Sequence, residues 1–356
     1  KVMRIKNIYT LCLALCSLLV VVACSEEDND HLIPTPKFEI TQSTNIDLSA
    51  KGGEATVEFI SEGAEIKASV DADWCRIKEI TGNKVIVTVD VNAGYPSRTA
   101  AIILSDGQTN RKVAILQQGA VWIYNQNETT LFVRDIAGDV FVETSGTFPI
   151  EIDIPEAAKQ WITGEVIDTG FKLSVQENAT DSRRTVSFKA KMNNREVEYT
   201  VIQCCVADYV GTWEGKTQVI GEDFGISGLF SLAGTTIEKS ETEGEYLITV
   251  PMDMLAEGLT MELTAVYDKG EFLVTTPLPQ DIGIGGGVNG TVIAASQDGD
   301  LYLKATIALV PSIKNGVVTL TYDDAGLFFV IGFFKGSSYQ GHPILFPVFT
   351  MQKSLK

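Results

Sequence analysis

Residues 85–91 read Val-Ile-Val-Thr-Val-Asp-Val, so every second position is valine. In an extended chain these valines share one face, while Thr88 and Asp90 lie on the other. The same alternation occurs upstream, where Ala55, Val57 and Phe59 are separated by polar residues. Both stretches predict half-buried strands.

The first half of the chain contains an internal repeat with a period near 86 residues. The matched pairs are Gly53 and Gly138, Trp74 and Trp161, Asn92 and Asn178, Arg98 and Arg184, and Gln117 and Gln203. Each copy holds several short strands separated by turn sequences, and neither shows a long helical period. The pattern predicts two tandem antiparallel β-sandwiches at 37–120 and 121–206, with one helical turn near 155–161.

The first copy resembles the BACON family. The resemblance rests on Trp74, Asn92, Ser97-Arg98-Thr99-Ala100 and Gln117-Gln118-Gly119. It implies immunoglobulin-like sandwiches, a Bacteroidetes source, and either carbohydrate binding or a spacer role. The second copy departs from the pattern, with Arg183-Arg184-Thr185-Val186 at one motif and Cys204-Cys205 after Gln203.

Residues 207–356 have a different texture, rich in glycine and in β-like runs. Tight-turn sequences such as Asp268-Lys269-Gly270 and Lys314-Asn315-Gly316 join these runs, which favours a closed meander. Leu301 to Val310 alternates and predicts one strand, and 251–257 predicts a short helix. The opening Tyr209-Val210-Gly211-Thr212-Trp213 resembles lipocalin-like and calycin-like barrels. The whole chain is therefore expected to be all-β, ending in an antiparallel β-barrel-like domain.

The interior of such a barrel has two alternatives. It could hold a small apolar ligand. It could instead be filled by its own side chains, which is slightly favoured because several phenylalanines are available for packing. These are Phe328, Phe329, Phe333 and Phe334.

The N-terminus carries Lys1, Arg4 and Lys6 before an uncharged run from residue 8 to 23. This layout is typical of a secretory signal and is too short for a stable membrane span. The junction at Cys24 resembles the lipobox of bacterial lipoproteins. It implies a signal at 1–23, lipidation of Cys24 as a membrane anchor, and an acidic tether at 24–36. Acids after the cysteine resemble the export signal of Bacteroidetes surface lipoproteins, which implies an outer-membrane protein facing the exterior.

The formal net charge is −18, and loss of the three signal cations makes it −21. Such a charge repels phosphate backbones, so nucleic acid is not an expected partner. A neutral glycan remains compatible. About 330 mature residues also exceed what one hydrophobic core usually organises.

No motif indicates an enzyme, a cofactor or a metal site. The sequence has two histidines, His31 in the tether and His342 beside Pro343, so a zinc site or a Ser-His-Asp triad lacks parts. The glycines of 283–290 precede a β-like run rather than a helix, so they predict a flexible loop rather than a phosphate site. After the anchor, Cys75, Cys204 and Cys205 remain, and they are expected to be buried thiols of undetermined role.

Three aromatic residues are candidates for sugar contact. Tyr95 lies in the 92–98 loop beside Pro96, where an exposed ring could contact sugar, although packing on its own domain is the favoured interpretation. Trp122 and Tyr124 open the second copy, and their position favours packing of the first strand. Trp74 and Trp161 are expected in the cores.

The leading hypothesis is a surface lipoprotein that binds carbohydrate without catalysis. Its sandwiches would act as spacers and its C-terminal module would carry recognition. The alternatives are a structural stalk that assembles with envelope proteins, and a lipocalin-like carrier of a small apolar molecule.

Overall fold

The computed structural model describes residues 38–285, 287–341 and 343–355. The predicted signal, the tether, Cys24 and both histidines lie outside these ranges. The chain is 62% strand and 3% helix, which confirms the all-β prediction. No helix in the described ranges is long and apolar enough to cross a membrane.

The chain forms two compact units. The first comprises residues 38–48, 53–90 and 99–116, and the second comprises 49–52, 91–98 and 117–355. The second unit therefore holds three loop segments of the first repeat copy, all of the second copy and the C-terminal domain.

The first sandwich contains two four-stranded sheets, in the orders β1-β3-β6-β5 and β2-β8-β7-β4. The strands are β1 (Phe38–Thr44), β2 (Asp47–Leu48), β3 (Gly53–Ser61), β4 (Lys67–Val70), β5 (Cys75–Thr81), β6 (Lys84–Val89), β7 (Arg98–Ser105) and β8 (Asn110–Gln117). Val85, Val87 and Val89 are buried between the sheets as predicted, whereas Val91 is exposed because β6 ends at Val89.

The second sandwich has sheets in the orders β10-β16-β15-β12 and β13-β14-β11-β9. Its strands are β9 (Trp122–Tyr124), β10 (Thr130–Val133), β11 (Gly138–Gly146), β12 (Glu151–Asp153), β13 (Ile162–Ile167), β14 (Gly170–Val175), β15 (Arg184–Met192) and β16 (Arg195–Gln203). A 3-10 turn at Glu156–Ala158 confirms the predicted helical turn. β10 pairs with β16 in parallel, so the pairing is not wholly antiparallel.

A hydrogen-bond network explains why Asn92, Arg98 and Gln117 belong to the repeat. The Asn92 amide donates to the carbonyl oxygens of Pro96 (2.9 Å) and Gln118 (3.0 Å), which ties the loop to the end of β8. Arg98 Nε donates to Gln117 Oε1 at 2.8 Å. Both Asn92 and Gln117 are buried, so these bonds satisfy polar groups that would otherwise be costly.

The second copy repeats the asparagine bonds with the same offset, but not the arginine–glutamine bond, since Gln203 Oε1 has no partner among the described residues. The Asn178 amide donates to the carbonyl oxygens of Ser182 and Cys204, both at 2.9 Å. Gln203 Nε2 donates to the carbonyl oxygen of Gln176 at 2.6 Å. The residues that mark the repeat in the sequence therefore hold equivalent loops in the two sandwiches.

Gly119 offers a test of the first network. Its backbone lies against the Tyr95 carbonyl oxygen, and a Cβ at this position would overlap that atom. We expect Gly119→Ala to lower the free energy of unfolding by about 1–3 kcal/mol, because the loop must move. Urea denaturation followed by tryptophan fluorescence measures this. Gly138→Ala is the control, since a Cβ there meets nothing within 4 Å; equal losses in the two variants would contradict the prediction.

The C-terminal domain is a closed eight-stranded antiparallel barrel. Its ring order is β17-β19-β20-β21-β22-β26-β27-β30, closed by pairing of β30 with β17. Further strands extend from β17 and β30. The strands are β17 (Gly211–Gly221), β18 (Ile226–Ser231), β19 (Thr235–Lys239), β20 (Glu245–Pro251), β21 (Thr260–Asp268), β22 (Glu271–Thr275), β23 (Leu278–Gly285), β24 (Val288–Ser296), β25 (Leu301–Tyr302), β26 (Thr306–Lys314), β27 (Val317–Tyr322), β28 (Leu327–Lys335), β29 (Ser338–Tyr339) and β30 (Ile344–Ser354). Two 3-10 turns, Val206–Tyr209 and Glu222–Phe224, flank β17.

The barrel core is filled by aromatic and aliphatic side chains. Trp213 is 1% exposed, and its indole N–H donates to the Tyr209 carbonyl oxygen at 2.9 Å. Phe272, Phe329 and Phe349 are buried in the same cluster. The predicted hairpin turns are also present: Lys269-Gly270 and Asn315-Gly316 take positive φ values between directly paired strands.

Three local predictions for this domain are wrong. The single strand predicted from Leu301 to Val310 is split, because β25 pairs with β24 whereas β26 pairs with β22. The glycine-rich segment 283–290 is a hairpin of β23 and β24, since β24 is drawn into a long ladder with β28. Residues 252–259 form turns instead of a short helix.

Asp135 joins the second sandwich to the barrel within the second unit. Its carboxylate is buried and accepts hydrogen bonds from the hydroxyls of Tyr209 (2.7 Å) and Tyr267 (2.6 Å). Burial, followed by the nearby Asp135 charge, raises the pKa of Tyr209, so this hydroxyl remains a donor. Next to it, the Arg134 guanidinium donates to the Gly270 carbonyl oxygen.

We expect Asp135→Ala to lower the free energy of unfolding by about 2–4 kcal/mol, because two tyrosine hydroxyls lose their acceptor. Asp135→Asn should lose less, since the amide oxygen still accepts a hydrogen bond. Denaturant unfolding gives both values, with the exposed Asp153→Ala as control. An Asp135→Ala variant as stable as the control would show that the carboxylate does not join the domains.

Candidate functional site

An open groove of about 930 Å³ lies on the second sandwich and contains exposed aromatic and acidic side chains. We call it the aromatic groove. Its walls come from β9, β10, β11, β16 and the turn after β13. The lining residues are Ile123, Tyr124, Asn125, Glu128, Leu131, Phe141, Val142, Glu143, Thr144, Ser145, Asp168, Thr169 and Tyr199.

Strand parity determines which side chains of β11 point outward. Phe141 is 64% exposed, whereas Val140 and Val142 on either side are partly buried against the core. Ile123 on the neighbouring edge strand is also 64% exposed and pairs with Ser145. The groove therefore presents a large aromatic surface to solvent, which is uncommon in a residue type that favours the interior.

Tyr199 forms the buried side of the groove. The side chain is 1% exposed and packs on Phe171 with ring centroids 5.2 Å apart. Its hydroxyl has no hydrogen-bond partner within the described parts of the chain. An aromatic cluster thus places a buried, unused hydroxyl at the groove.

The polar lining is acidic. Glu128, Glu143 and Asp168 contribute carboxylates, and Asn125 contributes an amide whose oxygen accepts from the Asn127 backbone N–H at 3.1 Å. Of the residues that line the groove in the described structure, none is lysine or arginine. Aromatic faces beside hydrogen-bonding oxygens can bind a polyhydroxylated ligand.

The sequence-predicted residues fall in different places. Tyr124 lies in the aromatic groove, packed against Trp122 with ring centroids 5.4 Å apart. Trp122 is 6% exposed and donates its indole N–H to Thr144 Oγ1 at 2.8 Å. Trp122 as a ligand contact is therefore a wrong prediction, because its ring closes the sandwich core.

Tyr95 is 57% exposed but lies outside the groove. The Arg195 guanidinium carbon is 3.1 Å from its ring centroid, so a cation already covers one face. Arg195 also donates to the carbonyl oxygens of Ala93 and Ala120. These contacts give Tyr95 a packing role in the second unit.

Sequence reasoning missed Phe141 and Tyr199. A signal for Phe141 was present, because the alternation around it assigns Val140 and Val142 to one face and Phe141 to the other. The alternation along β16 places Tyr199 on the face that packs in the core. Only the packing of the two sheets shows that this buried side chain also lines a surface groove.

The thiols do not contribute to this site. Cys75, Cys204 and Cys205 are buried, and none of the three forms a disulfide within the described part of the chain. Burial raises the pKa of Cys204 to about 12, so the thiolate is scarce at neutral pH. Within the described ranges, no group of three or more histidine, cysteine or acidic side chains could hold a metal ion.

A second open groove, of about 1010 Å³, lies on the barrel where β17, β18, β27 and β30 meet. Its apolar lining includes Leu229 and Val348, and its charged lining includes Glu214 and Lys216. None of its described lining residues is aromatic. It lacks the stacking surface that the aromatic groove has.

Comparison with protein families agrees with the resemblance of the first copy. Residues 63–118 match BACON. The description of that family is "Putative binding domain, N-terminal". A comparison with curated proteins gave no match.

Solved structures give only distant similarities. A titin fragment of three immunoglobulin domains has a TM-score of 0.27 and 8% identity, covering 83% of this chain and 95% of its own. An endo-fucoidan hydrolase of glycoside hydrolase family 107 has a TM-score of 0.23 and 13% identity over 45% of this chain. The match spans 27% of the hydrolase.

Proposed function

We propose that this protein is a cell-envelope lipoprotein that binds carbohydrate without catalysis, and that the aromatic groove is its binding site. The observation that carries the proposal is the exposed Phe141 ring beside carboxylates in an open groove. The binding-domain description of the family matched by residues 63–118 supports a binding role.

The chemistry of the groove fits a sugar. One face of a pyranose ring is lined with C–H groups and packs on an aromatic ring, while its hydroxyls bond to carboxylate and amide oxygens. Tyr124 and Phe141 offer rings, and Glu128 and Glu143 offer acceptors. An open groove also admits the middle of a long chain.

This site lies in the second sandwich, whereas the sequence-based hypothesis assigned recognition to the C-terminal module. Many aromatic rings of the barrel, including Trp213, Phe272 and Phe329, are buried in its core. The same packing argues against a carrier of a small apolar molecule. A structural stalk remains the competing function, and it requires no ligand at the groove.

We expect Phe141→Ala to weaken glycan binding at least tenfold, because the exposed ring supplies the stacking surface. Affinity electrophoresis of the full chain in gels that contain soluble polysaccharides measures the retention. Stability should be unchanged, since the ring is mostly exposed.

Tyr302→Ala is the matched control, because it removes an aromatic ring that is 40% exposed on the barrel. Retention lost equally in both variants would show that the groove is not the site. A wild-type chain retained by no polysaccharide would contradict the proposed function and favour the stalk.

The proposal includes a lipid anchor at Cys24 and display on the exterior of the outer membrane. Several acyl chains on one residue hold a protein firmly on a bilayer, while one chain does not. Acidic residues follow the cysteine between Glu26 and Asp30, and their like charges repel one another. The sandwiches would then act as spacers.

We expect metabolic labelling with a fatty-acid probe to mark the wild-type protein and to miss Cys24→Ala completely. Ser25→Ala is the control, since it changes the neighbouring residue and leaves the thiol. Label on Cys24→Ala, or its absence from the wild type, would contradict the anchor. Protease accessibility on intact cells tests display.

A further inference from the structure

The Tyr199 hydroxyl is a polar group that the fold leaves unused. Its oxygen is buried and has no protein partner among the described residues, although the side chain lines the aromatic groove. A buried hydroxyl without a hydrogen-bond partner is destabilising, because it has lost its bonds to water. Such an atom at a groove indicates a contact that a ligand completes.

The hydroxyl cannot easily turn away, because the ring is held on two sides. Phe171 meets it edge-on at 5.2 Å between centroids, and Phe188 stacks on it at 5.7 Å. Its backbone is paired with Phe188 in the ladder of β15 and β16. Burial raises the pKa of Tyr199, so the group both donates and accepts hydrogen bonds at neutral pH.

The charges around this hydroxyl limit the ligand. The groove carries the carboxylates of Glu128, Glu143 and Asp168, with no lysine or arginine among its described lining residues. A sulfated or uronic acid-rich chain would bring like charge into the groove, and the nearby Lys172, across from Phe141 on β14, is already paired with Glu165 at 3.4 Å. Hydroxyls of an uncharged sugar can instead donate to the carboxylates.

We propose that the aromatic groove selects uncharged glycans and that the Tyr199 hydroxyl is a specificity-determining contact with a sugar hydroxyl. This inference rests on the proposed carbohydrate-binding function. It adds the class of glycan and a buried contact residue that the exposed rings do not provide.

The test uses the full chain and matched pairs of polysaccharides. Uncharged glucans, mannans, galactans and xylans are each compared with their carboxymethylated or sulfated derivatives by affinity electrophoresis. We expect retention by at least one uncharged polymer and at least tenfold weaker retention by its anionic derivative. We expect Tyr199→Phe to weaken binding of the retained polymer about tenfold, as loss of one buried hydrogen bond does.

Stability separates a ligand contact from a structural role. Tyr199→Phe removes a hydroxyl without a protein partner, so its unfolding midpoint should equal or exceed that of the wild type. Tyr339→Phe, an exposed tyrosine on the barrel, is the control for the loss of a hydroxyl. A destabilised Tyr199→Phe would show that the hydroxyl serves the fold and would overturn the inference.

The remaining outcomes distinguish the inference from the function on which it rests. Full binding by Tyr199→Phe, with loss in Phe141→Ala, would overturn the role of Tyr199 and leave the groove as the site. Tighter retention by an anionic derivative would overturn the class of glycan. Retention by no polymer would overturn the proposed function itself.

Discussion

The buried carboxylate of Asp135 constrains how the second sandwich meets the barrel within the second unit. It accepts hydrogen bonds from Tyr209 and Tyr267, one just before the barrel and one within it. A buried carboxylate without partners would be strongly destabilising, so sandwich and barrel must meet at this point. The equivalent position of the first copy, 85 residues earlier, is Ala50. It packs in the apolar core of the second sandwich.

The two repeat copies form similar sandwiches, but the side chains on their surfaces differ. The side-chain amides of Asn92 and Asn178 hold equivalent loops, because each donates hydrogen bonds to two backbone carbonyl oxygens. At the groove the copies diverge. By the repeat offsets, Thr56 and Val113 of the first copy correspond to Phe141 and Tyr199 of the second. The aromatic surface and the unused hydroxyl therefore belong to the second copy, whose family motifs are the weaker ones.

Much of the fold was predictable because its signals are local. Alternation identified strands such as β3 and β6, and residue pairs such as Asn315-Gly316 identified type I′ hairpins. One error arose where the chain changes its partner strand. Leu301 to Val310 has an unbroken alternating pattern, yet its two ends join different strands. The alternation of apolar and polar residues indicates which side chains share a face of a strand. It does not indicate which strand pairs with it.

The candidate site was likewise predictable only in the features that follow from local sequence patterns. Alternation and the repeat were enough to determine two sandwiches, a third β domain and the outward parity of Phe141, because side-chain direction follows from the backbone of a strand. Tertiary packing decided that Trp122 faces the core and that Tyr199, a core residue by parity, also lines a surface groove. The physical reason is that burial and hydrogen bonding depend on residues distant in the chain, which meet only when the two sheets pack.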